Sequence, residues 1–112
     1  MPILNVTPEN YQREVVESNI PVVMDFYGDW CDPCKRMAPL FEKISDEYAD
    51  RLLKFARVDV AQNPDVVQQF GVQSVPCFVI AYHGREIGRT AGIQTQQLLE
   101  ERIEQALRSR IP

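Results

Sequence analysis

What this sequence lacks narrows its chemistry before any motif is considered. It has only 5 glycines in 112 residues and no glycine-rich run, so no backbone loop is available to cradle a phosphate. Its single histidine, His83, lies in a predicted hairpin turn, where no Ser-His-Asp set can be assembled around it. Basic residues are in deficit, 12 against 16 acidic ones, and the formal charge of -4 is opposite to what nucleic-acid phosphates would select. Long apolar runs are missing too. The longest uncharged stretch, Val66 to Gly84, is broken by Gln68, Gln69, Gly71, Gln73, Ser74 and Pro76, and a bilayer-spanning helix of about 20 apolar residues would not carry these. The opening residues Met1 to Thr7 show neither a basic segment nor an apolar one of the secretory kind, so a cytoplasmic location is expected. Repeats, low-complexity segments and linkers are likewise missing.

What remains is 45% hydrophobic and 25% charged, the balance of one globular domain spanning residues 1–112. A chain of this size buries roughly 65% of its unfolded surface, enough for a core without disulfide staples. Thr7-Pro8-Glu9 reads as cap, first helical position and dipole-favoured acid of a helix ending near Ser18. Pro21 to Tyr27 is a β-prone run with apolar residues at both parities, as in a strand covered on both faces. Met37, Phe41, Ile44 and Tyr48 mark one face of a helix that Pro39 should kink. Leu53 to Val60 reads as a strand. Asn63 then caps a short helix closed by Gly71, Cys77 to Tyr82 and Arg85 to Arg89 form a hairpin, and Thr95 caps a last helix with Leu99, Ile103 and Leu107 inward. With an initial strand near Ile3 to Val6, the order is β-α-β-α-β-α-β-β-α. That order implies an α/β architecture, a largely parallel sheet with an antiparallel pair at its end.

The three cysteines, an odd number, are informative through their spacing. Cys31-Asp32-Pro33-Cys34 falls where a buried strand gives way to a helix, the end at which parallel sheets place their chemistry. Unpaired amides and the macrodipole at a helix start favour a thiolate, which makes Cys31 the nucleophile. Cys34, one turn inward, is the resolving thiol, and Pro33 presets the first helical turn. Asp25 is the anomaly in its strand. A buried carboxylate is costly unless paired or raised in pKa, and a raised pKa suits a proton acceptor working near neutrality. The plainer alternative is a carboxylate simply satisfied by a neighbour. A Cys₃His zinc site from Cys31, Cys34, Cys77 and His83 has the right count, but Cys77 and His83 lie roughly 20 Å apart along an extended strand, so no metal is expected.

Trp30-Cys31-Asp32-Pro33-Cys34-Lys35, with Asp25 before it and Pro39, Val75-Pro76, Gly84 and Gly92 after it, resembles the thioredoxin family over essentially the whole chain. That resemblance implies a mixed five-stranded sheet flanked by four helices, with a cis peptide bond before Pro76 facing the cysteine pair. It implies a substrate groove formed by Trp30, Val75, Pro76, Ala91 and Gly92, and it gives Asp25 the task of helping to deprotonate Cys34. The implied activity is protein-disulfide reduction through a mixed disulfide, by a monomer that binds no cofactor. Electrons would come from NADPH through a flavin-dependent thioredoxin reductase, and the partners would be disulfide-containing proteins. An exported oxidase or isomerase, and a redox-sensing interaction module, are the alternatives.

The chain also departs from that family. Asp32 stands where thioredoxins usually have glycine; it either disfavours the Cys31 thiolate or serves only as a helix-capping acid. Arg57 appears where a lysine is common, and because it cannot lose its proton it should hold Asp25 more firmly ionised. Cys77, directly after Pro76, is either a small core residue or a third, regulatory thiol. Lys35 and Arg36 either lower the thiol pKa of the pair or are ordinary solvated charges.

Overall fold

The computed structural model describes residues 3–109. Five strands, β1 (Leu4–Asn5), β2 (Val22–Tyr27), β3 (Lys54–Asp59), β4 (Cys77–Tyr82) and β5 (Arg85–Ala91), form one sheet in the order β1-β3-β2-β4-β5. A π-helical segment (Gln12–Val16) and three α-helices, α1 (Asp32–Glu47), α2 (Pro64–Phe70) and α3 (Gln96–Ser109), complete the element order. No helix among the described residues is long and apolar enough to cross a membrane.

Strand parity divides the core into two layers. Met24, Phe26, Val58, Cys77 and Val79 point to one face, where they pack with Val15, Val66 and Phe70. Val23, Phe55, Phe78 and Ile80 point to the other, against Met37, Phe41 and Ile44 of α1 and Leu99 and Ile103 of α3. Phe41 is the centre of that second layer, its ring 5.4 Å from Phe55 and 5.9 Å from Phe78. On this face of β2, the odd-numbered positions continue from Val23 to Asp25, so the sheet aims a carboxylate under α1. Pro39 lies inside α1, which runs on through it to Glu47.

Several expectations are corrected. The parallel part of the sheet is smaller than the alternation of strands and helices implied: β1·β3 and β2·β3 are parallel, but β4 runs antiparallel to β2 as well as to β5. α2 and its flanking loops return the chain to the end of the sheet at which β3 finished, so Cys77 at the start of β4 pairs with Phe26 near the end of β2. The first helix is not a regular α-helix to Ser18. Thr7 and Asn10 cap one another reciprocally at 2.8 and 3.1 Å, and the chain then winds a wider turn, with Glu17 N–H donating to Gln12 C=O at 2.9 Å. Asn63 does not cap α2 with its side chain. Its Nδ2 donates to the carbonyls of Val6 (3.3 Å) and Asp59 (2.9 Å), tying the chain after β1 to the end of β3.

Other local readings hold. Gly71 takes the left-handed conformation after α2 (φ 62°), and Thr95 Oγ1 accepts the Leu98 N–H at 3.1 Å. His83 and Gly84 both have positive φ (54° and 77°), as a tight two-residue hairpin demands, so His83 is a turn residue.

Candidate active site

Cys31 is the N-cap of α1, in an extended conformation (φ -92°, ψ 102°), and it forms a disulfide with Cys34 across a Cα–Cα distance of 5.2 Å. Two backbone bonds fix the corner: Cys31 N–H donates to Gly28 C=O at 3.1 Å, and Lys35 N–H donates to Cys31 C=O at 3.2 Å. The Cys34 amide donates to the Cys31 sulfur at 3.1 Å. After reduction the same donor, with the helix dipole, favours negative charge on Cys31 over Cys34. Cys31 is also the more accessible, at 7% against 2% exposure. Pro33 falls in the first turn, where its missing N–H costs nothing. Asp32, Lys35 and Arg36 are exposed.

Behind the disulfide, Asp25 is 1% exposed. The parallel register sets it opposite Arg57 on β3, whose Nε reaches Asp25 Oδ2 at 3.4 Å, while Oδ1 has no hydrogen-bond partner. Burial pushes the Asp25 carboxyl up to about 6, against the opposing charge of Arg57. Arg57 draws the carboxyl down, the direction expected of it, but burial is the larger effect. Arg57 makes one long contact rather than a paired one, and its guanidinium is shared with the Tyr27 ring, 3.8 Å away. A cavity of about 270 Å³ has Cys34, Lys35, Tyr27 and Arg57 in its walls, so the resolving sulfur and the cation paired with Asp25 face the same space.

In front of the disulfide, the Trp30 ring is 67% exposed. A groove of about 360 Å³ runs from it to Gln73, Ser74 and Val75, with Val60 and Val67 in its floor. The Val75–Pro76 bond is cis. Gly92 N–H donates to Pro76 C=O at 2.8 Å, which holds the Ala91–Gly92 segment beside that proline, though neither residue lines the groove. Cys77 points away from this end, 2% exposed in the layer that holds Phe26 and Phe70, and burial pushes its thiol up. Of the two readings for Cys77, the core residue is the one the packing fits. A surface cavity of about 540 Å³ lies elsewhere, between Tyr48 and the acidic face of α3; it shares no residue with the disulfide end.

Three residues were missed from sequence. A Cβ at Gly28 would come within 2.5 Å of the Trp30 ring that lies across it, so a side chain there would have to displace that exposed ring. Ile93 is 59% exposed beside Gly92, an apolar surface residue next to the substrate side. Tyr27 stacks on Arg57. Only Gly28 carried a signal, as a glycine three residues ahead of the first cysteine.

The family model for thioredoxin matches residues 2–105. Thioredoxin 1 of Synechococcus elongatus is 33% identical over 102 residues, covering 91% of this chain and 94% of that protein. Thioredoxin C-2 of Corynebacterium nephridii is 33% identical over 103 residues (92% and 94%), and thioredoxin of Rickettsia felis 30% over 103 residues (92% and 97%).

Proposed function

This chain belongs to the thioredoxin family and is a thiol-disulfide oxidoreductase whose redox group is its own disulfide, and on that premise we propose residue roles for its protein-disulfide reductase activity. The Cys31 thiolate attacks a substrate disulfide; one substrate sulfur leaves as thiolate and takes a proton from solvent, and the other stays bonded to Cys31. Cys34 then gives its proton to Asp25 and attacks the Cys31 sulfur. The Cys31–substrate bond breaks, the second substrate sulfur leaves as thiolate, and two electrons have passed from the dithiol to the substrate.

The observation that carries this reading is the asymmetry around the disulfide: the less buried cysteine holds the sulfur that accepts a helix-start amide, and β2 carries a buried carboxylate with one oxygen unpartnered among the described residues. Trp30, Val75, Pro76, Ala91 and Gly92 are taken as the substrate contact, Asp32, Pro33, Lys35 and Arg57 as groups that tune the pair, and Cys77 as structural.

The usual partners in the family are disulfide-bearing proteins and thioredoxin reductase. For this chain the donor is taken to be a flavin-dependent, NADPH-linked reductase, and the working form a cytoplasmic monomer folded as one domain over residues 1–112. The test is the reduction potential of the Cys31–Cys34 pair against graded dithiothreitol, with Trp30 fluorescence as signal, alongside Cys34→Ser. A potential near or below about -270 mV and a trapped mixed disulfide on Cys31 are expected; a potential above about -200 mV would point to disulfide formation or isomerisation instead.

A further inference from the structure

Resting on Asp25 as the proton acceptor, we propose that Tyr27 is a positioning residue for the resolving step: its ring clamps the Arg57 guanidinium to one oxygen of Asp25 and so leaves the other oxygen free for the Cys34 proton. Asp25, Tyr27 and Arg57 lie on the same face of neighbouring parallel strands, where Asp25 is opposite Arg57 and Tyr27 one pair further along. The Arg57 Cζ sits 3.8 Å from the Tyr27 ring centroid while its Nε is 3.4 Å from Asp25 Oδ2. Asp25 Oδ1, buried, has no hydrogen-bond partner among the described residues.

The two stacked side chains also stand between two hollows. Tyr27 and Arg57 both line the 270 Å³ cavity that Cys34 faces and a second, of about 350 Å³, on the side of Asn5, Thr7 and Gln62. Arginine is long and rotamer-rich. With open space on either side, the Tyr27 ring beneath it and the long contact to Asp25 hold its guanidinium in one direction. Were it to swing aside, Asp25 would lose its one countercharge, and were it to turn further inward it would occupy the oxygen the Cys34 proton needs.

Other charges surround the clamp. Lys35 on α1 and Asp29 in the loop before it line the first cavity, Glu9 and Asp59 line the second, and Cys77 on β4 is a buried thiol. In the step that the clamp serves, the Cys34 proton moves to Asp25 Oδ1, the Cys34–Cys31 bond forms, and the Cys31–substrate bond breaks with the substrate sulfur leaving as thiolate.

The experiment follows the Asp25 carboxyl by carbon-13 NMR in oxidised and reduced protein, together with the pH dependence of mixed-disulfide resolution, in wild type, Tyr27→Phe, Tyr27→Leu and Asp25→Asn. Phenylalanine keeps the stacking and should leave the Asp25 midpoint unchanged. Leucine should raise it by about one pH unit, the order of a lost neighbouring guanidinium, and move the acid limb of the resolution rate by the same amount. If Tyr27→Leu does not fold, Tyr27→Met, flexible and apolar, carries the same expectation. An Asp25 midpoint unmoved in the leucine or methionine variant, with Asp25→Asn still removing the acid limb, overturns the clamp while leaving the acceptor standing. An acid limb that survives in Asp25→Asn overturns the acceptor role, and the clamp's purpose with it.

Discussion

Ionising Asp25 should make the protein less stable, and the size of the effect follows from its surroundings. In the unfolded chain this carboxyl titrates near 3.8; in the fold, burial lifts it to about 6 despite Arg57. Between those values the native state holds a proton that the unfolded state has released. Stability therefore falls as pH rises through that window, and the loss is complete once the pH is above the folded value. A shift of about two pKa units corresponds to about 3 kcal/mol, a large fraction of the 5–15 kcal/mol typical of a domain. Asp25→Asn keeps the shape and removes the charge. The assay is denaturant unfolding of both oxidised proteins from pH 4 to 8. Glu14 and Glu104, held low by hydrogen bonds from Lys54 and Tyr48 respectively, change stability in the opposite sense, but they are common to both proteins and cancel in the difference. The asparagine variant should gain on wild type by about 2.4 kcal/mol between pH 4 and pH 7.5, the rest of the loss falling below pH 4, or roughly 10 °C in Tm. A difference that stays flat, or grows toward acid pH, would refute a buried carboxylate held near neutrality by desolvation.

Three further outcomes are expected. Asp32 adjoins Cys31 on an exposed turn, and a charge ~6 Å from the thiolate at an effective dielectric of 40 to 80 disfavours it by roughly 0.7 to 1.4 kcal/mol, so Asp32→Gly should have a potential less negative by about 15–30 mV. An equal or more negative potential in a dithiothreitol titration would reduce Asp32 to a helix-capping acid. Gly28→Ala should displace the Trp30 ring, slowing reduction of protein substrates more than of small disulfides; because that ring is free to move, denaturation should show a cost under about 1 kcal/mol. Alkylation of the native reduced protein with mass mapping should label Cys31 and leave Cys77 unlabelled, and rapid Cys77 labelling would contradict its place in the core.

The parts of the molecule legible in the sequence were those determined by local rules. The helix after the disulfide is announced by Met37, Phe41, Ile44 and Tyr48 at helical spacing, and all four are buried. The hairpin at His83-Gly84 and the stop at Gly71 depend on backbone conformations that few residues tolerate, so turn chemistry identified them. Cysteines with two residues between them at a helix start predict their own geometry in the same way. What was not legible depended on distances between elements. The antiparallel placement of β4 is set by the end of the sheet at which the chain re-enters after α2, a relation between elements that no single segment contains. Asn63 has the composition of a cap, yet the carbonyls of Val6 and Asp59 claim its amide, and Val6 is 57 residues away. Arg57 was correctly expected beside Asp25, but its effect on that carboxylate could not be read from charge alone. The third party is Tyr27, whose ring holds the guanidinium in place at its single 3.4 Å contact with Asp25, and desolvation outweighs that one countercharge. The chemistry of the pair is thus decided by a side chain that neither the cysteine motif nor the acid announces. For that reason substitutions at position 27, more than at 57, should separate the charge of Arg57 from its direction.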